Sequence, residues 1–328
     1  MEIGLFPYLP KTDLHLHLDG AARPDTLRDL ALQAGIPPEK IEPHLRVGSP
    51  GSLAEYLAHF DFVLPLMQTR KALSRIAYEI VEDASQRNVA YVEIRFCPLL
   101  LLDGGLSGEE AVNAVVEGVR AAEEDLGGIL GRLILCGLQG MDGDAATRVV
   151  DLALAFQLSG VVGVDVAGDE AGKFNLAPFE RPFARARDAG LRITCHAGEN
   201  GPADHVIQAM ERLGAQRIGH GTAILGDPRA VALARERNVG IECCPTSNYQ
   251  TGAIRSLAEH PIREMLAAGL SCTINTDNPM FSETDIEREW NLAIDEMKLT
   301  ADECSLVLAN GFSQMFLEDA PAPVRNVL

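Results

Sequence analysis

The sequence predicts an α/β protein, a closed (β/α)8 barrel of the TIM type with a helical insertion after the first strand. Three observations predict it: eight short apolar segments recur along 328 residues, amphipathic segments separate them, and 47% of the residues are hydrophobic. Buried strands that alternate with helices form parallel sheets, and eight such units are typical of a closed barrel. An open doubly wound sheet is the structural alternative. We expect the whole chain, residues 1–328, to form one domain.

The predicted strands are the eight short apolar segments. They are Thr12–Leu18, Val89–Phe96, Arg132–Leu138, Val161–Val166, Leu191–His196, Arg217–His220, Val239–Cys243 and Ser271–Thr276. Between them, apolar residues recur at intervals of three and four, for example from Leu73 to Ala84 and from Val112 to Ala122. This spacing places the apolar residues on one face of a helix that packs on a sheet.

One connection is much longer than the others and predicts the insertion, at about residues 20–86. It contains helical patterns near Pro24–Ala34 and Ser52–Leu66. An insertion after the first strand lies at the C-terminal face of a barrel, where active sites form. Three apolar side chains of the second pattern either line a pocket there or only pack the helix onto the barrel. They are Leu57, Phe60 and Leu64.

The charge of the chain limits its partners. The 28 basic and 47 acidic residues give a net charge of −19, a field that repels a phosphate backbone. No apolar segment reaches membrane-spanning length, and we expect no targeting signal. The seven cysteines are scattered and odd in number, which is typical of reduced cytosolic thiols. We expect a cytoplasmic protein that binds a small neutral molecule and neither nucleic acid nor membrane.

Candidate metal ligands fall at the ends of the predicted strands. Asp13, His15 and His17 alternate along the first strand and so share one face. His196 ends the fifth strand, and Asp277 follows the eighth. The carboxyl ends of barrel strands meet at one mouth, and imidazole nitrogen together with carboxylate oxygen suits zinc. We predict one zinc ion per chain, held by His15, His17, His196 and Asp277.

Two further side chains at this mouth predict the chemistry. His220 ends the sixth strand, so we expect it to orient the water that zinc activates or to take its proton. Glu199 follows His196 by three residues, and Gly198 lets the chain turn there, so Glu199 is a candidate general acid with a raised pKa. A glutamate at the start of a helix is the structural alternative. The fourth strand, at 161–168, has no lysine to bridge two metals, which favours a single ion.

Motifs along nearly the whole chain resemble those of the adenosine deaminase family. They are Thr12–Gly20 (TDLHLHLDG), Tyr56–Pro65, Tyr91–Arg95 (YVEIR), Asp165–Glu170 (DVAGDE), His196–Glu199 (HAGE), Gly219–Thr222 (GHGT), Cys244–Asn248 (CPTSN) and Asn275–Pro279 (NTDNP). Each motif is modest, but their order on these strands is highly specific.

The resemblance implies hydrolytic deamination of a purine nucleoside at one zinc ion with the same four ligands. It implies that Glu199 protonates purine N1 while His220 assists the attack at C6, and that ammonia leaves. By analogy with the family, the backbone amide of Gly168 contacts N3 and Asp19 holds the 5′-hydroxyl of the sugar. We also place His17 among the residues that contact the substrate.

One position departs from the commonest form of the family. Many members carry two successive aspartates after the last strand, whereas here the second is Asn278. The family role of that position is a hydrogen bond to purine N7, and the amide of Asn278 donates one at any pH. A turn residue before Pro279 is the structural alternative.

The predicted substrate follows from Asp19. Adenine-specific relatives usually carry Glu at this position, so Asp19 favours a nucleoside, with adenosine and 2′-deoxyadenosine first. Free adenine and another 6-aminopurine nucleoside are the alternatives, and a cap of the turn at Gly20 is the structural alternative for Asp19.

Two functions of other classes compete with the deaminase. One is a metal-dependent hydrolase of esters or ring amides on the same fold. Its two-metal form requires a lysine on the fourth strand, which this chain lacks. The other is a non-catalytic, zinc-bound nucleoside-binding protein. Structural zinc sites are usually closed and rich in cysteine, whereas this set has a spare histidine and glutamate beside it, which favours catalysis.

Overall fold

The computed structural model describes residues 2–317 and contains eight parallel strands in the order of the chain. They are β1 (Lys11–His17), β2 (Val89–Phe96), β3 (Leu130–Leu138), β4 (Val161–Ala167), β5 (Arg192–Ala197), β6 (Arg217–His220), β7 (Gly240–Cys243) and β8 (Ser271–Ile274). Each strand pairs with the next. Asp277 then pairs with β1: its N–H donates to His15 O at 2.7 Å, and its carbonyl accepts from the His17 N–H at 2.8 Å. These bonds join the two ends of the sheet into a barrel, so the predicted fold class is confirmed.

Helices surround the barrel. Within residues 2–317 they are α1 (Pro24–Gln33), α2 (Leu53–Leu57), α3 (Phe60–Val63), α4 (Arg70–Gln86), α5 (Gly108–Leu126), α6 (Gly143–Ala155), α7 (Glu170–Lys173), α8 (Ala177–Asp188), α9 (Ala203–Gln208), α10 (Pro228–Glu236), α11 (Pro245–Gln250), α12 (Ile262–Ala267), α13 (Ile286–Asp295) and α14 (Ala301–Ser313). Residue 1 and residues 318–328 of the predicted domain lie outside the described part of the chain.

β2 and β6 have the predicted bounds, and the other six strands differ from the predicted ones by one or two residues at their ends. β3 begins at Leu130, before the predicted Arg132, because Leu130 and Gly131 already pair with β2. β8 ends at Ile274, before the predicted Thr276, because the Thr276 N–H turns to the side chain of Asp13 at 3.3 Å. The side chain of Asp13 therefore takes the place of a backbone acceptor in a neighbouring strand at that point.

The insertion after β1 contains both predicted helical segments, but the second is divided. The first is α1, which begins with proline at its first position. The second consists of α2, α3 and the 3-10 turn Leu64–Leu66. Ser52 and Glu55 form a reciprocal cap at the start of α2, and Pro65, which lacks an N–H, lies in the 3-10 turn that ends the segment.

Apolar strands and capped helices build the core. All eight residues of β2 are buried, and Thr69, Ser107 and Thr300 cap the helices α4, α5 and α14. The seven cysteines are buried free thiols. None of the helices between residues 2 and 317 is both long and apolar enough to cross a bilayer.

Candidate active site

Four metal-ligating side chains meet at the carboxyl-terminal mouth of the barrel. His15 and His17 come from β1, His196 from β5, and Asp277 from the segment after β8. One ligand atom of each lies within 4.8 Å of the other three. His17 Nε2 and His196 Nε2 are 3.2 Å apart, and Asp277 Oδ1 lies 3.3 Å from His15 Nε2 and 3.4 Å from His17 Nε2. The structure thus brings together the four residues predicted as ligands.

The spacing of these atoms fits a zinc ion. Bonds of about 2.0–2.2 Å in a tetrahedral arrangement separate neighbouring ligand atoms by about 3.3–3.6 Å. Three of the measured separations, at 3.2, 3.3 and 3.4 Å, lie close to this range, and all of them lie within 4.8 Å. His15 Nε2 is buried without a hydrogen-bond partner, as a nitrogen reserved for a metal is. Burial holds the pKa of His17 well below its usual value, so that ring is neutral and ready to bind a cation.

Carboxylates behind the cluster orient two of its imidazole rings. His15 Nδ1 lies 2.8 Å from Glu242 Oε2, and His196 Nδ1 lies 3.0 Å from Asp165 Oδ2. A ring that donates from Nδ1 to a carboxylate presents the lone pair of Nε2 to a metal. Glu242 and Asp165 therefore fix which nitrogen of each ring faces the cluster.

Ion pairs inside the barrel hold these carboxylates in turn. Arg95 donates to Asp165 at 3.0 Å and to Glu242 at 2.9 Å, while Arg217 donates to Glu242 at 2.6 Å and also pairs with Glu93. All five side chains are fully buried. Removing one partner from a buried pair leaves an uncompensated charge and costs about 3–5 kcal/mol. No role was predicted for these residues, although Glu93 and Arg95 interrupt an apolar strand with a period of two, which indicates a shared face.

Glu199 lies beside the cluster with a buried carboxyl group. Its Oε1 accepts a hydrogen bond from Thr251 Oγ1 at 2.9 Å, and its Oε2 lies 3.7 Å from His220 Nε2. Burial, reinforced by the charge of Asp277, raises the pKa of Glu199 to about 8. The carboxyl is therefore largely protonated at neutral pH, as a general acid requires. Glu199 lies in the turn before α9 rather than at a helix start.

A second carboxylate, Glu170, holds the turn that carries Glu199. Its four contacts are the N–H groups of Asn200 (2.7 Å) and Gly201 (3.0 Å) at Oε1, and the Gly198 N–H (2.8 Å) and His205 Nδ1 (2.9 Å) at Oε2. Glu170 follows β4, and the turn that it contacts follows β5. This carboxylate therefore links the loop after β4 to the loop after β5. Glu170 belongs to a quoted motif, but its role was not predicted, since nothing in the sequence indicates where its side chain points.

His220 ends β6 in a left-handed backbone conformation. Its φ of +63° and the +62° of Asp277 are unusual for residues other than glycine. Such a conformation costs about 1–3 kcal/mol and is often found at functional sites. Burial holds the pKa of His220 well below its usual value, so the ring is neutral. Its Nδ1 lies 2.9 Å from Asn248 Nδ2, while its Nε2 faces Glu199.

The cluster borders a cavity of about 320 Å³. The insertion supplies much of the apolar wall, including the three residues singled out in the sequence, Leu57, Phe60 and Leu64. The polar part of the wall consists of a few separate groups. They include Asp19, Asp61, Gln139, Gly168, Thr251 and Asn278, together with His17, His196, Glu199, His220 and Asp277. An apolar cavity with a few placed polar groups is typical of a site for a small molecule.

Polar atoms of this wall are buried without a hydrogen-bond partner. They include Asp19 Oδ1, Gln139 Nε2 and Asn278 Oδ1. Burial raises the pKa of Asp19 to about 6, so its carboxylate is still mainly ionised at neutral pH and accepts hydrogen bonds. A Cβ atom on Gly20 would lie only 1.9 Å from Asn278 Oδ1. Glycine at position 20 therefore leaves the room that the Asn278 side chain occupies.

Asp13 shares a strand with His15 but does not join the cluster. Its carboxylate accepts hydrogen bonds from Thr276 Oγ1 at 2.6 Å and from the Thr276 backbone at 3.3 Å. Asp13 therefore fastens the segment after β8 to β1, immediately before the ligand Asp277.

The carboxyl-terminal mouth of this parallel barrel carries metal ligands, a protonated carboxyl and an apolar cavity. These features are those of a metal-dependent hydrolytic enzyme. The family model described as adenosine deaminase matches residues 10–324. The adenosine deaminase of Enterococcus faecalis is 40% identical over 322 residues, which are 97% of this chain and 95% of that protein. The chain belongs to the adenosine deaminase family, as its motifs predicted.

Solved structures of similar proteins agree with this assignment. An adenine deaminase from Arthrobacter aurescens superposes with a TM-score of 0.88 at 28% identity, covering 97% of both chains. Arabidopsis ADAL complexed with IMP gives 0.87 at 27% identity, covering 98% of this chain and 96% of the other. An amidohydrolase from Burkhoderia ambifaria with bound Zn gives 0.86 at 30% identity, covering 97% and 88%.

Proposed function

We propose that the chain catalyses the hydrolytic deamination of adenosine and 2′-deoxyadenosine, releasing ammonia and the corresponding inosine. One observation carries the proposal: four metal-ligating groups lie within 4.8 Å of one another, and the largely protonated carboxyl of Glu199 lies beside them. The reaction needs a nucleophilic water and a group that donates a proton to the purine ring. This site offers a place for each.

The metal in this proposal is one zinc ion per chain, held by His15, His17, His196 and Asp277. Zinc in such a site lowers the pKa of a water molecule to about 7 and so supplies hydroxide at neutral pH. Three imidazoles and one carboxylate suit zinc better than the oxygen-preferring magnesium or calcium. The structure with bound Zn from Burkhoderia ambifaria supports this choice of metal.

The chain's own residues position the purine and supply the proton. Glu199 holds a proton at its carboxyl and delivers it to N1, which makes C6 more electrophilic. His220 contacts the attacking water. The Gly168 backbone amide donates to N3, and the Asn278 amide donates to N7. His17, which also lines the cavity, contacts the edge of the bound ring.

The polar groups of the wall favour a nucleoside over a nucleotide. Asp19 and Asp61 are acidic, and none of the residues that line the cavity within the described chain is a lysine or an arginine. A 5′-phosphate entering such a wall meets like charges and no cation. Asp19 Oδ1, buried without a donor, is instead suited to accept a hydrogen bond from a 5′-hydroxyl. The similar structure of Arabidopsis ADAL, by contrast, holds the nucleotide IMP.

The proposal is tested with a panel of 6-aminopurines. Purified, zinc-quantified protein is incubated with adenosine, 2′-deoxyadenosine, adenine and AMP, and ammonia and the ultraviolet change are recorded. We expect turnover of the two nucleosides and at least about tenfold lower kcat/KM for adenine and AMP, from the loss of one charged hydrogen bond. The Glu199→Gln variant, with the same zinc content, is the control for contaminating activity. A preference for adenine, or binding of nucleosides without ammonia release, contradicts the proposal.

A further inference from the structure

A chain of hydrogen bonds leads from His220 away from the cavity into the protein. His220 Nδ1 lies 2.9 Å from Asn248 Nδ2, and Asn248 Oδ1 lies 3.2 Å from His260 Nε2. The backbone N–H of Ile262 donates to His260 Nδ1 at 3.2 Å. His220, Asn248 and His260 are all buried. Their hydrogen-bond partners are therefore protein groups rather than bulk water.

The backbone group at the far end fixes the direction of the whole chain. The Ile262 N–H can only donate, so His260 Nδ1 must be an acceptor and the hydrogen of the neutral ring must lie on Nε2. Nε2–H then donates to Asn248 Oδ1, which leaves the amide NH2 of Asn248 to donate to His220 Nδ1. The hydrogen of His220 therefore lies on Nε2, the nitrogen that faces the cavity and lies 3.7 Å from Glu199 Oε2.

The opposite arrangement is excluded by the same contacts. Rotating the Asn248 amide by half a turn would place its NH2 against His260 and its oxygen against His220. His260 would then need its hydrogen on Nδ1, where the Ile262 N–H already donates. Two donors facing each other in a buried position leave both unsatisfied, which is unfavourable. A doubly protonated His220 meets the same conflict with the Asn248 NH2.

We propose that His260 is a positioning residue for the deamination reaction. Through Asn248 it keeps the hydrogen of His220 on Nε2, so that His220 donates a hydrogen bond to the oxygen of the attacking water and does not take its proton. The proposal rests on the function proposed above and chooses between the two roles left open for His220. In the positive-φ backbone conformation of His220, Nδ1 faces Asn248 and Nε2 faces the cavity, as this role requires.

Nuclear magnetic resonance of 15N-histidine-labelled protein tests the position of the hydrogen directly, in zinc-loaded and in metal-depleted samples. Long-range proton–nitrogen correlations distinguish a protonated ring nitrogen from a bare one, and the variants His220→Gln and His260→Gln assign the two signals. We expect Nε2–H and bare Nδ1 in both rings. In Asn248→Asp the carboxylate can only accept, so we expect the hydrogen of His220 to appear on Nδ1.

Kinetics of two His260 variants separate positioning from simple structural support. In His260→Phe the amide of Asn248 loses its fixed direction, and we expect kcat to fall about tenfold to a hundredfold, the usual effect of losing an outer hydrogen-bond partner. KM and zinc content should stay close to those of the parent, whereas the melting temperature should fall, because Asn248 Oδ1 and the Ile262 N–H lose their hydrogen-bond partner. His260→Gln keeps an N–H near the position of Nε2 and should recover most of kcat.

The spectra also separate this proposal from the proposed function. A wild-type His220 with its hydrogen on Nδ1, or a His260→Phe variant with unchanged kcat, overturns the positioning role while deamination stands. Equal losses of kcat in His260→Phe and His260→Gln, with both correctly folded, overturn it as well. A protein that shows Nε2–H on His220 but releases no ammonia from any 6-aminopurine retains the hydrogen-bond chain and loses the proposed function.

Discussion

Burial determines the chemistry of the Glu199 carboxyl. The side chain is enclosed next to Asp277, and its pKa is raised to about 8, so the acid form predominates below that pH. We expect kcat/KM for adenosine to decrease as pH rises through about 8, because the proton donor is then lost. Glu199→Gln should keep zinc and bind nucleoside, yet lose about two to four orders of magnitude in kcat.

The measurement is a pH–rate profile of both proteins between pH 6 and about 10, a range that brackets the raised pKa. The residual activity of Glu199→Gln should lack the decrease near pH 8. A variant that stays within a few-fold of the parent, or that keeps the same alkaline decrease, means that another group protonates N1.

Asp19 is the residue that should distinguish substrates at the sugar. Its unpartnered Oδ1 accepts from a 5′-hydroxyl in the proposed complex, a charged hydrogen bond worth about 1.5–3 kcal/mol. Asp19→Ala should therefore lower kcat/KM for adenosine by about tenfold to a hundredfold. The loss for 5′-deoxyadenosine, which has no such donor, should be much smaller. Equal losses on the two nucleosides would leave Asp19 with only a structural role as a cap.

Loops after neighbouring strands depend on one another through Glu170. Its carboxylate accepts hydrogen bonds from three backbone N–H groups of residues 198–201. A glutamine side chain has only one oxygen to accept these bonds, and its NH2 group would face the remaining N–H donors. We expect Glu170→Gln to displace the turn that carries Glu199 and to lower kcat by about tenfold or more, because displacements of about 1 Å at a reacting group are costly. KM should change less than kcat.

Glu110→Gln is the matched control for this prediction. Glu110 also accepts a backbone N–H, that of Ser107 at 2.9 Å, but it caps α5 on the exposed outside of the barrel. Its variant should keep the parent kcat. If Glu170→Gln retains full kcat and the parent melting temperature, the hydrogen bonds to the turn do not position Glu199.

The proposed zinc site connects parts of the chain that are far apart in sequence. Its ligands come from β1, from β5 and from the segment after β8, so a bound ion holds the barrel together where its first and last strands meet. Binding to the folded state stabilises it by about 4 kcal/mol when free metal exceeds its dissociation constant a thousandfold. Removing zinc should therefore lower the melting temperature by several degrees, and adding zinc should restore it.

Elemental analysis and thermal melting check this prediction together. We expect about one zinc per chain in the purified protein, the ratio for a mononuclear site. His17→Ala should lose zinc and activity and should show no rise in melting temperature when zinc is added. Full activity in a demonstrably metal-free preparation contradicts the zinc mechanism.

Much of this protein follows from the sequence because its signals are local. Alternating apolar strands and amphipathic helices predict a parallel barrel, and in a parallel barrel every strand ends at the same mouth. His15, His17, His196 and Asp277 could therefore be placed together before their distances were known. The order of the motifs predicted the family for the same reason, since all of them except Tyr56–Pro65 lie on a strand or directly after one.

Tertiary structure decided what depends on burial and on the direction of hydrogen bonds. The raised pKa of Glu199 comes from its enclosure, and Arg95 and Arg217 form a charged network inside the barrel only because four strands face one another. Glu170 and His260 act on residues 28 or more positions away, directly in one case and through Asn248 in the other. Periodicity along the chain shows which face of a strand or helix a residue occupies. It does not show which distant atom that residue contacts, because that depends on how the elements pack.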